Sequence, residues 1–164
     1  SLRRQRQMCI RDSLIIGEGE SRAALEALTK ELNLTESIQF LGGISNEDLY
    51  RYYASADLFV LPSRLESWGT VMLEALACGT PVVTTQTAGG QEIAQLFPAD
   101  VRVAAVDSPA DLARAVRTEL ETHRRVSRDV QARFSIEACA RNYHSIYCQV
   151  IADNGQSRET RFDT

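Results

Sequence analysis

Lysine is almost missing from this chain of 164 residues, in which seventeen of the eighteen basic residues are arginine and Lys30 is the sole lysine. We interpret this bias as genome composition rather than function. The formal net charge is −4, so the chain has no excess of basic residues. A polyanionic partner such as a nucleic acid is therefore not expected.

Paired cysteines and metal-ligand spacings are also missing. The four cysteines are Cys9, Cys78, Cys139 and Cys148, and none has the spacing of a metal or redox motif. Cys139 and Cys148 lie nine residues apart on one predicted helix, so they point to opposite sides of it and cannot pair. We expect reduced thiols in a cytoplasmic protein and no metal site.

Long apolar runs and signal-like starts are lacking too, and no transmembrane segment is expected. Residues 1–12 show no apolar period. They are either a basic arm for an anionic surface or a non-native leader, and we favour the leader and exclude it from the fold. Residues 155–164 form a polar tail that we expect to be disordered. One domain over residues 13–154 is long enough to bury a core.

Alternation of short apolar strands with helices is the main pattern within residues 13–154. The strands centre near residues 15, 39, 60, 83 and 104, and a helical segment follows each of them. This order predicts an α/β fold, a Rossmann-like parallel sheet with helices on both faces.

The most informative stretch is Pro62–Pro81, PSRLESWGTVMLEALACGTP. It follows an apolar run that is typical of a buried parallel strand. Gly69 precedes a helix that begins near Thr70, and Gly79 and Pro81 end it. A helix N-terminus after glycine presents free N–H groups and a partial positive charge, so it is typical of an anion site, most commonly one for diphosphate.

Two carboxylates, Glu66 and Glu74, flank this predicted anion site, eight positions apart. Both should face the crevice outside the carboxyl end of a strand, where open α/β sheets bind ligands. Carboxylates repel phosphate but suit the adjacent hydroxyls of a ribose or a sugar. The pair predicts a nucleotide-sugar, and the alternative is that both glutamates are simply solvated.

A dozen residues in this stretch and directly after it resemble the E-x7-E signature of family 4 retaining glycosyltransferases, which have the two-domain GT-B fold. That signature runs P-S-x-x-E-x-(F/W)-G-x-x-x-x-E-A-x-A-x-G-x-P-V-V. The matching residues are Pro62, Ser63, Glu66, Trp68, Gly69, Glu74, Ala75, Ala77, Gly79, Pro81, Val82 and Val83. The resemblance runs from about Leu14 to Ile151 and corresponds to the C-terminal, nucleotide-sugar-binding half of the family's enzymes.

The resemblance implies roles for particular residues. Glu66 would be catalytic and orient the donor sugar, Glu74 would bind the ribose hydroxyls, and backbone N–H groups would bind the diphosphate. The implied substrate-binding set is Glu74, Ser67, Gly69, Thr70, Val71, Gly43, Ile44, Gly89 and Gly90. Gly43 and Ile44 would lie against the base. Gly89 and Gly90 would belong to a G-G-x-x-E-type loop near the sugar and diphosphate, although the acid here, Glu92, follows the second glycine by two positions. The alternative at Gly43 is a glycine that only turns the chain, and at Gly89 and Gly90 it is an ordinary loop with Glu92 capping the helix that follows.

The resemblance also implies an activity. The intact enzyme would transfer a sugar from a UDP-, GDP- or ADP-sugar to an acceptor hydroxyl, with retained anomeric configuration and without a metal or other cofactor. The family's N-terminal acceptor domain precedes this region, as do one strand and helix whose Arg and Lys clamp the diphosphate. We therefore expect a fragment that binds the donor without turnover, and any peripheral membrane contact to reside in the acceptor domain.

Two other functions remain open from the sequence. The same pocket could belong to a non-catalytic module that senses a nucleotide-sugar. A receiver-like signalling domain is more remote, because it needs an aspartate at a strand end and a lysine after a late strand. Asp57 precedes its strand here, and no late lysine is present.

Overall fold

The computed structural model describes residues 13–122, 125–126 and 135–159, with side chains up to residue 152. Two compact units divide the chain after Leu49. The predicted leader, residues 1–12, lies outside the described residues. No helix in the described part of the chain is long and apolar enough to cross a membrane.

The first unit contains a pair of parallel strands and one complete helix. Strand β1 (Ser13–Ile16) and strand β2 (Ile38–Gly42) flank helix α1 (Arg22–Glu31). Ser13 pairs with Ile38, and the register shifts after Ile15. Helix α2 (Asn46–Ser55) begins in this unit and continues into the second.

The second unit is built on three parallel strands in the order β3-β4-β5. Its elements, in chain order, are β3 (Phe59–Leu61), α3 (Thr70–Ala77), β4 (Val82–Thr85), α4 (Ala88–Leu96), β5 (Val101–Ala104) and α5 (Pro109–Thr122). All four residues of the central strand β4 are buried. Val82, Val83 and Thr84 have no exposed surface, as expected for a strand covered on both faces.

Helices cover both faces of this three-stranded sheet. Val83 packs with Ala104 and with Ala115 of α5. The next residue, Thr84, points to the opposite face. A Cβ added to Gly90 of α4 would lie 3.2 Å from the Thr84 side chain. Helices α4 and α5 therefore lie on opposite faces.

The predicted α/β fold class is confirmed, and the five strands lie within a few residues of their predicted positions. They are divided between two sheets, one of two strands and one of three, instead of forming one. Strand pairing depends on contacts between distant parts of the chain, which the spacing of strands along the sequence does not specify.

The last helix, α6, runs over Ile136–Glu159. It includes residues 155–159, which the sequence assigns to a disordered tail. A single glycine costs only about 1 kcal/mol in a helix relative to alanine, so Gly155 is not sufficient to end it. Residues 160–164 lie outside the described part of the chain.

Candidate donor-binding site

Helix α3 begins as predicted, immediately after Gly69. Gly69 has φ 71° and ψ 56°, the left-handed conformation that glycine adopts without strain. A Cβ at this position would lie 2.3 Å from the terminal methyl of Met72, which is completely buried. The backbone N–H groups of Thr70 and Val71 donate to no described residue outside the helix, as expected for a first turn. They are available to an anion.

Glu66 lies next to this helix start, in the loop of residues 62–69. Its side chain is half-buried, and a Cβ on Gly69 would be 3.2 Å from its Cγ. The Glu66 carbonyl accepts a hydrogen bond of 2.9 Å from the N–H of Gly89. The next residue, Ser67, is exposed. The structure therefore brings Glu66, Ser67, Gly69 and Thr70 together in one anchored loop and helix start.

Glu74 lies on the second turn of α3 with its side chain exposed. One carboxylate oxygen, Oε2, accepts a hydrogen bond of 3.2 Å from the Tyr53 hydroxyl. Tyr53 is buried and packs edge-on against Phe59, with 5.3 Å between ring centroids. A fixed phenol thus orients the carboxylate and leaves lone pairs of Glu74 for a ligand.

Tyr53 is a residue of the candidate site that the sequence analysis did not single out. Burial, the nearby charge of Glu74 and the hydrogen bond to it raise the pKa of the Tyr53 phenol above its ordinary value. Burial and the same carboxylate raise the pKa of the Cys78 thiol. Tyr53 and Cys78 are therefore both neutral beside Glu74 at pH 7. Tyr53 and Glu74 lie 21 residues apart along the chain, so no local sequence pattern indicated their hydrogen bond.

Gly89 and Gly90 lie in the first turn of α4 and not in the loop predicted from the sequence. Thr87 is the N-cap, and its Oγ1 accepts a hydrogen bond of 3.1 Å from the N–H of Gly90. A Cβ on Gly89 would lie 2.8 Å from the backbone nitrogen of Trp68, and one on Gly90 would lie 2.3 Å from the carbonyl oxygen of Thr85. Both glycines thus allow close packing against the protein's own backbone, and their predicted ligand contacts stay a prediction.

Gly43 and Ile44 belong to the first unit, where they follow β2. Gly43 is exposed, Ile44 is half-buried, and a Cβ on Gly43 would meet nothing within 4 Å. The left-handed residue in this segment is Gly42, with φ 74°. Packing therefore gives no reason for glycine at position 43, and the predicted contact with the base is not tested by these features.

An open cleft of about 660 Å³ lies at the carboxyl ends of β4 and β5 in the second unit. Its lining includes Gln86, Gln91, Gln95 and Asp111, and no residue of the predicted site. Among the residues that the structure describes, no group of three or more His, Cys, Asp or Glu could hold a metal ion.

Known proteins place these features in a family. Residues 11–138 match the model of the family described as glycosyl transferases group 1. N-acetyl-alpha-D-glucosaminyl L-malate synthase of Bacillus anthracis is 31% identical over 147 residues, which are 86% of this chain and 38% of that protein. D-inositol 3-phosphate glycosyltransferase of Mycobacterium sp. (strain KMS) is 51% identical over 65 residues, 40% of this chain and 15% of that protein.

Solved structures agree on the fold. Sucrose-phosphate synthase from Thermosynechococcus elongatus superposes with a TM-score of 0.69 and 32% identity, over 85% of this chain and 38% of that one. Anabaena HepE, in a complex with UDP, has a TM-score of 0.69 and 22% identity, over 84% of this chain and 41% of that one. These neighbours are GT-B glycosyltransferases. The chain thus spans less than half the length of each protein named here. With more than three quarters of its residues inside the family match, the chain belongs to the glycosyl transferases group 1 family.

Proposed function

We propose that the second unit of this chain binds the nucleotide-diphosphate-sugar donor of a retaining glycosyltransferase. The observation that carries this proposal is the start of α3, where two N–H groups available to an anion lie between an anchored glutamate, Glu66, and an oriented one, Glu74. An anion site flanked by carboxylates suits a diphosphate that carries hydroxyl-rich rings. The complex of Anabaena HepE with UDP supports a nucleotide donor.

The roles within the donor site follow from charge. Glu74, held by Tyr53, accepts hydrogen bonds from the ribose hydroxyls. Backbone N–H groups of Gly69, Thr70 and Val71 face the diphosphate, with Ser67, Gly89 and Gly90 around the sugar. Gly43 and Ile44 belong to the first unit, and their contact with the base stays a prediction from the sequence. Fixed dipoles of this kind stabilise the charge that builds on a leaving diphosphate, and removing one such donor typically raises the barrier by about 3–4 kcal/mol.

The transfer step breaks the bond between the anomeric carbon and the diphosphate oxygen. A new bond forms from the acceptor hydroxyl oxygen on the same face of the sugar, and the proton of that hydroxyl passes to the leaving diphosphate oxygen. Glu66 orients the donor sugar and favours the positive charge that develops on its ring. No metal ion is proposed for this step, in line with the E-x7-E resemblance.

Acceptor recognition is proposed for the whole enzyme rather than for these residues, since the chain spans 38% of the Bacillus anthracis relative. By itself the chain is expected to bind the donor without transferring the sugar. A cytoplasmic location is also proposed, on the cysteine spacing in the sequence.

Calorimetric titration of the chain with UDP, GDP and ADP tests the donor site. We expect saturable binding of one nucleotide, and Glu74→Gln should weaken it by about 1.5–3 kcal/mol, roughly 10- to 150-fold, the range for a hydrogen bond to a charged group. Glu121→Gln is the matched control, because Glu121 is an exposed glutamate at the far end of α5. If the folded chain bound none of the three nucleotides, or if both variants bound equally well, the donor site would be wrong.

A further inference from the structure

The Tyr53 side chain is fixed by its surroundings within the second unit. It is 7% exposed, and its ring packs edge-on against Phe59 with an interplanar angle of 85°. The backbone carbonyl of Tyr53 accepts a hydrogen bond from the hydroxyl of Thr80, a residue with no exposed surface that follows the end of α3. The last turn of α2 is thereby joined to the segment after α3, so the Tyr53 hydroxyl has a defined position relative to that helix.

Glu74, in contrast, depends on Tyr53 for its orientation. The Glu74 side chain is exposed, and a long side chain at an exposed position samples several rotamers. Among the described residues, only the Tyr53 hydroxyl bonds to this carboxylate, through Oε2 at 3.2 Å. Burial and the charge of the carboxylate raise the pKa of the phenol, so the hydroxyl stays protonated and acts as the donor. One hydrogen bond from a fixed residue therefore orients the Glu74 carboxylate.

The orientation of this carboxylate matters for the proposed ligand. A ribose carries two adjacent hydroxyls, and both can donate to one carboxylate only when its oxygens face them. The Tyr53 hydroxyl occupies one lone pair of Oε2, and Oε1 accepts from no residue in the described part of the chain. A site that hydrogen-bonds a ligand hydroxyl discriminates against the analogue that lacks it. A 2′-deoxyribose lacks one hydroxyl of the pair.

We propose that Tyr53 is a positioning residue that sets the selectivity of the donor site for ribose over 2′-deoxyribose. Tyr53 does not touch the ligand and acts by holding the Glu74 carboxylate toward the two ribose hydroxyls. This role rests on the proposed function and deepens it. It also assigns a function to a residue outside the family signature, since Tyr53 lies nine positions before Pro62.

The test titrates Tyr53→Phe and Tyr50→Phe with the nucleoside diphosphate that binds and with its 2′-deoxy counterpart. The unsubstituted chain should prefer the ribonucleotide by roughly tenfold or more, as expected when a hydrogen bond to a charged group is lost. Tyr53→Phe keeps the ring, and it should lower ribonucleotide affinity by roughly three- to tenfold and leave deoxynucleotide affinity unchanged. Tyr50→Phe is the matched control, because Tyr50 lies on the same helix and is 53% exposed. It should bind both ligands as the unsubstituted chain does.

A double-mutant cycle with Glu74→Gln tests whether Tyr53 acts through Glu74. If it does, adding Tyr53→Phe to Glu74→Gln should not weaken ribonucleotide binding further. A purely structural role of the Tyr53 hydroxyl would instead lower the affinity by the same factor in both backgrounds.

Three results would overturn the role of Tyr53 and leave the donor site standing. Tyr53→Phe could keep full selectivity for ribose while Glu74→Gln loses it. Tyr53→Phe could lose affinity for both nucleotides equally, which would indicate damage to packing. The effects of the two substitutions could be additive, which would show that they act independently. If the unsubstituted chain bound no nucleoside diphosphate, or bound both forms equally well, the proposed function or the ribose role of Glu74 within it would itself fail.

Discussion

Two left-handed glycines bracket α3, and they differ in what surrounds them. Gly79 has φ 85° and open space at the position of a Cβ, whereas Gly69 has φ 71° and faces the buried Met72. Gly79→Ala should therefore cost only the conformational term, about 1–2 kcal/mol of unfolding free energy. Gly69→Ala adds steric overlap and should cost about 2–5 kcal/mol. Urea denaturation of both variants measures the difference, and equal losses would contradict the packing at Gly69.

The Tyr53 phenol should make stability fall at high pH. Its pKa is raised in the folded chain above the ordinary value of 10.0, mainly by burial. As the pH rises above about 10, the unfolded chain releases this proton first and the folded chain retains it, so the free energy of unfolding decreases. Tyr53→Phe should flatten this part of the pH profile and cost about 0.5–1.5 kcal/mol at pH 7, from the lost hydrogen bond to Glu74.

Denaturation at pH 7 to 11 measures the effect of the Tyr53 substitution. Tyr147→Phe, at a tyrosine that is 63% exposed, is the control. Identical pH profiles for the two variants would show that the Tyr53 hydroxyl does not carry the effect.

At the scale of single residues, some features could be predicted from the sequence and others could not. Gly69 and Gly79 were identified as the two ends of α3 because both limits are set by neighbours along the chain. The bond between Tyr53 and Glu74 could not be predicted, since it depends on how α2 packs against β3 and α3. Nor could Gly42, the last residue of β2, be distinguished from Gly43, because the left-handed φ and the burial that set Gly42 apart arise only in the fold.

At the scale of the elements, the start of α4 packs tightly against the loop of residues 62–69. A Cβ on Gly89 would lie 2.8–2.9 Å from backbone atoms of Ser67 and Trp68, which cannot yield as a flexible side chain can. Gly89→Ala should therefore displace the loop, lower the free energy of unfolding by about 1–3 kcal/mol and weaken nucleotide binding.

Thermal unfolding and nucleotide titration measure both effects of Gly89→Ala. Gly19→Ala, where a Cβ would meet nothing within 4 Å, should change stability by less than about 0.5 kcal/mol. If Gly89→Ala bound the nucleotide with full affinity, the loop of residues 62–69 would not contribute to nucleotide binding.

Strands and helices were predicted well because their apolar periods are local. The start of α4 was misread as a loop, since two adjacent glycines are typical of turns. The structure shows that Thr87 caps the helix and that the glycines are needed for contact with neighbouring backbone. A local pattern cannot distinguish close packing from a turn.

For the molecule as a whole, the apolar core lies in the second unit. Met72, Leu76, Val82, Val83 and Ile93 are completely buried there. In the first unit, the exposed large apolar residues are Leu14, Leu25, Leu28, Leu32 and Leu34, each 38–55% exposed. The two units are thus expected to differ in local stability.

Amide hydrogen exchange tests this difference. Amides of β4 should be the slowest to exchange, and those of β1 and β2 should exchange faster, because few buried apolar groups support that pair. Equal protection of the two sheets would contradict the expectation. The two-sheet arrangement itself was beyond the sequence, which showed five similar strands without their partners.

Trp68, whose backbone lies against Gly89, can serve as an intrinsic fluorescence probe. It is the sole tryptophan of the chain, and its side chain is 39% exposed in the loop of residues 62–69. All tryptophan fluorescence of the protein therefore originates beside Glu66, and a change in emission wavelength or quenching would report movement or shielding of this one loop. Ligand binding and loop displacement can be followed in solution without any label.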